Sequence, residues 1–180
     1  MPQVAFVGRS NVGKSSLLNV IVNRKRLAHV SSTPGRTQLV NFFIVNGNTR
    51  LVDLPGYGFA RAPREVKATW DKMISDYLLE NENLRVVVTL FDMRRNPTDE
   101  DEALLEWLNH YGIPFIAVLT KADKLTRSAQ SQTWKKLAGW LEKWQPRAVV
   151  CFSALSRQGR DDVLTEIGAA LSEESPHSAQ

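Results

Sequence analysis

The chain has 180 residues, 43% hydrophobic and 23% charged, which are the proportions of a globular chain and exclude a disordered one. That length suits one domain with its own core. The net charge of +4 is a mild basic excess, compatible with nucleic-acid contact but too small to argue for it alone. A single cysteine, Cys151, excludes an internal disulfide and reads as a small core residue. No run reaches the roughly 18 apolar residues that span a bilayer, and the start lacks a signal-peptide pattern. No membrane partner and a cytoplasmic location are therefore expected.

In chain order, Val4-Ala5-Phe6-Val7 reads as a buried strand and Ser16 to Val22 as the start of an apolar helix. Between them lies Gly8-Arg9-Ser10-Asn11-Val12-Gly13-Lys14-Ser15, with Ser16 following. Such a loop aims successive backbone N–H groups at a β-phosphate, and the helix N-terminus adds favourable dipole charge. Lys14 would reach the β- and γ-phosphates and the Ser15 hydroxyl would ligate Mg²⁺. A polar stretch over residues 23–38 follows, containing Gly35, Arg36, Thr37 and Gln38 before Leu39. Its length fits a mobile switch loop, with Thr37 the candidate second hydroxyl on Mg²⁺ and Thr33 a rival. Residues 39–45 and 49–53 flank Asn46-Gly47-Asn48, a hairpin signal that makes one strand antiparallel.

Asp53-Leu54-Pro55-Gly56 ends the second hairpin strand. Asp53 would hold the Mg²⁺ shell through water, and the Gly56 N–H would sense the γ-phosphate. A helix is expected over residues 64–79, a strand covered on both faces over 85–92, and a helix capped by Thr98. Residues 113–119 form another strand. Thr120-Lys121-Ala122-Asp123 follows it. The Asp123 carboxylate would accept N1–H and the 2-amino group of guanine, donors that adenine lacks. The Lys121 stem would lie against the base. A Trp-rich helix is expected near 128–144, a last strand over 147–152 and a last helix over 161–171. Phe152-Ser153-Ala154 would bring the Ala154 N–H to guanine O6. The fold class is α/β: three layers around a six-stranded, mostly parallel sheet with one antiparallel strand. Residues 1–172 form one GTP-binding domain, and residues 173–180 read as a disordered tail.

With these motifs in order, the chain resembles TRAFAC-class GTPases. More narrowly, its phosphate loop, Thr33-Pro34-Gly35-Arg36-Thr37-Gln38 and Asp53-Leu54-Pro55-Gly56-Tyr57-Gly58 are similar to the EngB-type (YihA/YsxC) bacterial GTPases. The resemblance implies GTP and GDP as ligands, Mg²⁺ as cofactor, and a monomer. It also implies a switch in assembly of the large ribosomal subunit, whose precursor (rRNA and ribosomal proteins) would be the partner, and through it a role in cell division and septation. The alternative is the same switch serving another partner, such as tRNA modification. The family usually carries an extension before the first strand, whereas Met1-Pro2 leads directly into it here.

Tyr57 stands where Ras-like enzymes have the glutamine that orients the attacking water, so slow intrinsic hydrolysis is expected. The resemblance also offers Asn11 as a K⁺ ligand near the phosphates, against a plain loop-stabilising hydrogen bond of its amide. Arg36 is either a finger supplied in cis or a partner contact, the latter preferred. Basic clusters at Arg24-Lys25-Arg26 and Arg61, Arg64 and Lys67 flank the switches, where they would meet rRNA phosphates. Trp134, Trp140 and Trp144 read as a core-packing stripe. His29, His110 and His177 share no metal-ligand spacing. Glu100-Asp101-Glu102 complements a helix dipole.

Overall fold

The structure, a computed structural model, describes residues 1–23, 31–32, 40–58 and 64–173. Strand β1 (Gln3–Gly8) leads to helix α1 (Lys14–Ile21), a two-residue strand β2 (Ser31–Ser32), and the hairpin of β3 (Asn41–Val45) and β4 (Thr49–Asp53). Helix α2 (Arg64–Glu80), β5 (Leu84–Asp92), α3 (Asp99–His110) and β6 (Phe115–Thr120) follow. Helix α4 (Arg127–Leu141), β7 (Ala148–Cys151) and α5 (Arg160–Leu171) complete the fold. The sheet order is β2-β3-β4-β1-β5-β6-β7. The expected six strands are β1 and β3–β7, with β3 antiparallel to β4 and the others paired in parallel. The short β2, within the polar stretch, adds a seventh strand beyond β3.

Local chemistry accounts for these elements. Asn46 and Gly47 both have positive φ (54° and 71°), the backbone a two-strand turn with right-handed twist demands. In β1, Val4 and Phe6 join one apolar cluster with Leu17, Ile21, Val163 and Ile167, while Ala5 and Val7 join another with Ile74, Leu105 and Leu137. The period-2 alternation of a strand thus puts α1 and α5 on one face and α2, α3 and α4 on the other. A register shift beside Gln3 moves pairing from Leu84 to Val86. It turns Leu84 to the same face as Val87, which accounts for its place in the second cluster. Truncating a buried leucine such as Leu90 would cost about 2–5 kcal/mol.

Two sequence expectations change. Trp140 and Trp144 pack edge to face with ring centroids 4.9 Å apart, and Trp140 meets Phe91 at 5.7 Å, but Trp134 is exposed and is not part of the core stripe. Cys151 is half-buried at the edge strand β7 and not a full core residue. The seven-strand order reverses at β1, with β4 on one side and β5 on the other. In open α/β sheets the crevice beyond the carboxyl ends at such a point receives the ligand. Among the described residues, no helix is long and apolar enough to cross a membrane. At the far end of the chain Arg147 forms a two-point ion pair with Glu173; the rest of the expected tail lies outside the described residues.

Candidate nucleotide-binding site

The loop between β1 and α1 is shaped by backbone conformation before any side chain acts. Asn11 (φ 62°) and Gly13 (φ 105°) are both left-handed, which bends the chain around successive N–H groups into an anion-receiving concavity. The strand end is stitched to the segment after β4: Tyr57 N–H donates to the Gly8 carbonyl at 3.2 Å, and Ser10 N–H to the Tyr57 carbonyl at 3.0 Å. Gly56 suits this approach, since a Cβ there would crowd Ser10 N at 3.1 Å. Helix α1 begins at Lys14 with no side-chain cap and no acidic residue in its first turn. Its N-terminal dipole is therefore left for an anion from outside.

Lys14 Nζ donates to Asp53 Oδ1, both groups largely buried. This joins the helix start, where Ser15 is exposed, to the carboxylate at the end of β4. An alcohol and a carboxylate are hard oxygen donors of the kind Mg²⁺ takes together with phosphate oxygens and water, so this donor set fits that ion. Ser16 is likewise exposed, whereas Val12, Leu54, Ala122 and Phe152 are buried beneath the site.

The loop after β6 is tied to the phosphate loop by two bonds. The Thr120 hydroxyl donates to the Val12 carbonyl at 2.6 Å and lies 3.2 Å from that of Phe91. Lys121, left-handed at φ 62°, donates from Nζ to the Asn11 carbonyl at 2.7 Å. A threonine hydroxyl thus supplies the anchoring bond between the two loops. Asp123 Oδ1 accepts from the fully buried Ser153 hydroxyl at 2.8 Å. Ser153 in turn receives the Ser156 N–H at 3.1 Å. Ala122 N–H donates to the Phe152 carbonyl, which fastens this loop to the one carrying Ala154. Behind it, Gly159 (φ 76°) sits so close to β7 that a Cβ would lie 1.9 Å from the Cys151 carbonyl oxygen.

Sequence reasoning missed two acids. Asp92, ending β5, takes Arg94 through two side-chain bonds and its backbone N–H, and Lys121 Nζ at 3.0 Å. Burial alone would push its carboxyl up. The Arg94 bonds, then Lys121, outweigh that and hold it well below the usual carboxylate range. Its position at a strand's carboxyl end, like Asp53, was the available signal. Asp101 does more than complement a dipole: its carboxylate closes a capping box with Thr98 and accepts the Tyr57 hydroxyl at 2.6 Å. Burial, then the charge of Asp101, pushes the Tyr57 phenol far above its usual range, so it stays protonated and donates.

Gly8, Arg9, Ser10, Asn11, Val12, Gly13, Lys14, Ser15, Asp53, Leu54, Pro55, Gly56, Thr120, Lys121, Ala122, Asp123, Phe152, Ser153 and Ala154 all lie at or just after the carboxyl ends of β1, β4, β6 and β7. The Asn11 side chain makes no hydrogen bond to the described residues. Gly35, Arg36, Thr37, Gln38 and Leu39, with Thr33 and the basic clusters at 24–26 and Arg61, lie outside the described residues.

Residues 3–121 match the family model described as "50S ribosome-binding GTPase". The chain is 52% identical over 171 residues to the probable GTP-binding protein EngB of Geobacter sulfurreducens, covering 95% of this chain and 82% of that one. It is 53% identical to that of Syntrophotalea carbinolica, covering 96% and 83%. Among solved structures, a probable EngB GTP-binding protein superposes with a TM-score of 0.68 at 22% identity over 94% of this chain and 98% of that one. The G domain of the Thermotoga maritima FeoB iron transporter gives 0.67 at 26% identity, covering 94% and 98%. A phosphate loop locked to a base-side loop at the switch point of this sheet, and half-identity to these relatives along nearly the whole chain, place it together: the chain belongs to the EngB family of GTP-binding proteins and is a P-loop GTPase.

Proposed function

We propose that this GTPase is a nucleotide-dependent switch that acts on the large ribosomal subunit or its precursor, and through that assembly supports cell division and septation. The observation that carries the nucleotide half of this reading is the pair of bonds from Thr120 and Lys121 to the Val12 and Asn11 carbonyls. They set an acid suited to guanine and a cradle suited to phosphate side by side. The ribosomal half is supported by the description of the matching family model. A cytoplasmic monomer fits this role.

In this reading the N–H groups of Asn11 and Gly13, those at the start of α1 and the Lys14 side chain hold the phosphates, since the Ser10 and Val12 N–H groups are already bonded to the Tyr57 and Arg9 carbonyls. Ser15, Thr37 and, through water, Asp53 hold Mg²⁺, which neutralises charge on the phosphate oxygens when bound. Lys14 would exchange its Asp53 partner for phosphate as nucleotide enters. Asp123, aimed by Ser153, reads N1–H and the 2-amino group, and Ala154 N–H reads O6. Gly56 N–H and Thr37 report the γ-phosphate to the switch segments, residues 35–39 and 53–56.

The Tyr57 hydroxyl is engaged by Asp101 and does not take the water-orienting part of a glutamine, so intrinsic hydrolysis is slow. The unengaged side chain of Asn11 favours the K⁺ reading over a loop-stabilising bond. Faster GTP turnover in KCl than in NaCl at equal ionic strength is the expected result, and equal rates would remove that role.

Co-sedimentation with purified large ribosomal subunits tests the function, comparing a non-hydrolysable GTP analogue with GDP at two salt concentrations. Binding in the GTP form alone, weakening steeply with salt, is expected. Absence of binding in both forms, with nucleotide bound, would overturn the ribosomal reading in favour of another partner.

A further inference from the structure

Tyr57 cannot move independently of the phosphate loop or of α3. Its backbone exchanges hydrogen bonds with Gly8 and Ser10 on one side, and its buried phenol reaches Asp101 on the other. It directly follows Gly56, where an added Cβ would stand 3.1 Å from Ser10 N. Asp101 is itself buried and divided between two duties. One oxygen takes the Tyr57 hydroxyl, and the other takes the Thr98 N–H at 2.8 Å and hydroxyl at 3.1 Å, closing the first turn of α3.

A third group completes the constellation. Arg9 packs its guanidinium against Gly58, and its Nε is buried without a hydrogen-bond acceptor among the described residues. A buried, charged donor left unpaired is disfavoured, and a carboxylate is its best acceptor. Arg9 lines one cleft with Asp92, Arg95, Asn96, Pro97 and Asp101. Of its two acids, Asp92 already holds Arg94 and Lys121, whereas the hydrogen-bond partners of Asp101, Tyr57 and Thr98, are neutral. The acid left for Arg9 in this cleft is Asp101, which does not bond Arg9 Nε in the arrangement where it holds Tyr57.

We propose that Asp101 is a two-position latch. It holds the Tyr57 hydroxyl in one arrangement of the segment after Gly56 and the Arg9 guanidinium in the other, so that the γ-phosphate state reaches the start of α3 and the cleft beside Arg95, Asn96 and Pro97. The latch rests on the reading of Gly56 as the γ-phosphate sensor. Tyr57 and Asp101 are positioning residues here; neither touches nucleotide.

Amide hydrogen exchange over residues 98–103 of the full chain, with GDP and with a non-hydrolysable GTP analogue, tests the latch on wild type, Tyr57→Phe and Asp101→Asn. Nucleotide affinity is measured on the same samples. In wild type the exchange rates should differ between nucleotides by roughly tenfold, the size of one charge-assisted hydrogen bond. Tyr57→Phe, which frees Asp101 for Arg9, should show the analogue's pattern already with GDP. Asp101→Asn should erase the difference. A wild type that binds both nucleotides with identical exchange overturns the latch and leaves the GTPase untouched. So does a Tyr57→Phe variant that keeps the wild-type difference, because Asp101 is then only a helix cap. Failure of either nucleotide to bind overturns the underlying reading together with the latch.

Discussion

The hydroxyl of Ser153 donates to Asp123 Oδ1 at 2.8 Å, so the acid that would read the base is oriented by a residue thirty positions away in the chain. A fully buried donor thus sets the plane of the carboxylate while both of its oxygens keep an acceptor site for a ligand in a set direction. Side-chain order of this kind, present before binding, lowers the entropy cost of recognition.

Asp123→Asn replaces an acceptor by a donor opposite guanine N1–H. Two charge-assisted bonds at about 1.5–3 kcal/mol each are lost, so GTP affinity should fall at least roughly 100-fold. Xanthosine triphosphate should bind in its place. Competition between the two nucleotides measures the switch, and undiminished GTP preference would sink the assignment.

Asp53→Asn should separate metal from nucleotide. Removing the carboxylate frees Lys14 from its ion pair, so GDP should bind at least as well without Mg²⁺. The Mg²⁺ concentration needed to slow GDP release should rise about tenfold or more, as expected for loss of one anionic oxygen near a hard cation. Stopped-flow release of a fluorescent GDP across a Mg²⁺ titration reads both effects.

Asp92 sets a pH dependence of stability. Its folded pKa lies below the unfolded value near 3.9. Its contribution is therefore complete above about pH 4 and is lost as pH falls from there toward the folded value. The urea midpoint of Asp92→Asn should sit below wild type at pH 7, and the gap should narrow from about pH 4 downward. A gap that stays constant to pH 3 would exclude this origin.

Gly159→Ala should be among the most damaging single changes, because the added Cβ meets a backbone oxygen at 1.9 Å at a residue with φ 76°. Backbone must move to admit it, and a loss of about 3 kcal/mol or more is expected from denaturant unfolding. Gly47→Ala, with open space around its Cβ position, isolates the cost of positive φ alone and should lose only about 1 kcal/mol.

The parallel frame was legible because its strands are short apolar runs, and the hairpin because Asn-Gly demands one backbone shape. The Trp stripe was misread for a geometric reason. Trp140 and Trp144 meet across the end of α4 and the 3-10 turn over 142–144, but six residues from Trp134 to Trp140 fall roughly 120° short of whole turns. That angle puts Trp134 in solvent. The bond between Tyr57 and Asp101 joins positions 44 apart, and no local pattern announces it: the acidic run at 100–102 looks the same whether its middle residue caps a helix or holds a tyrosine. Phosphate-loop spacing, in contrast, is local, because one turn and one helix start build the cradle. The loop's second tie, from Lys121 to both the Asn11 carbonyl and Asp92, arises only when the ends of β1, β5 and β6 are brought together.

Those ties have a metric consequence. With Thr120 bound to Val12 and Lys121 to Asn11, the base end and the phosphate end of the proposed site keep a constant span. The proposed pocket would then work as a caliper, admitting molecules by the distance between their two ends as well as by the chemistry of each. Free guanine or free pyrophosphate fills one jaw only. A ribose that bridges them makes the second contact intramolecular, which raises its local concentration to about the millimolar range without adding any new contact.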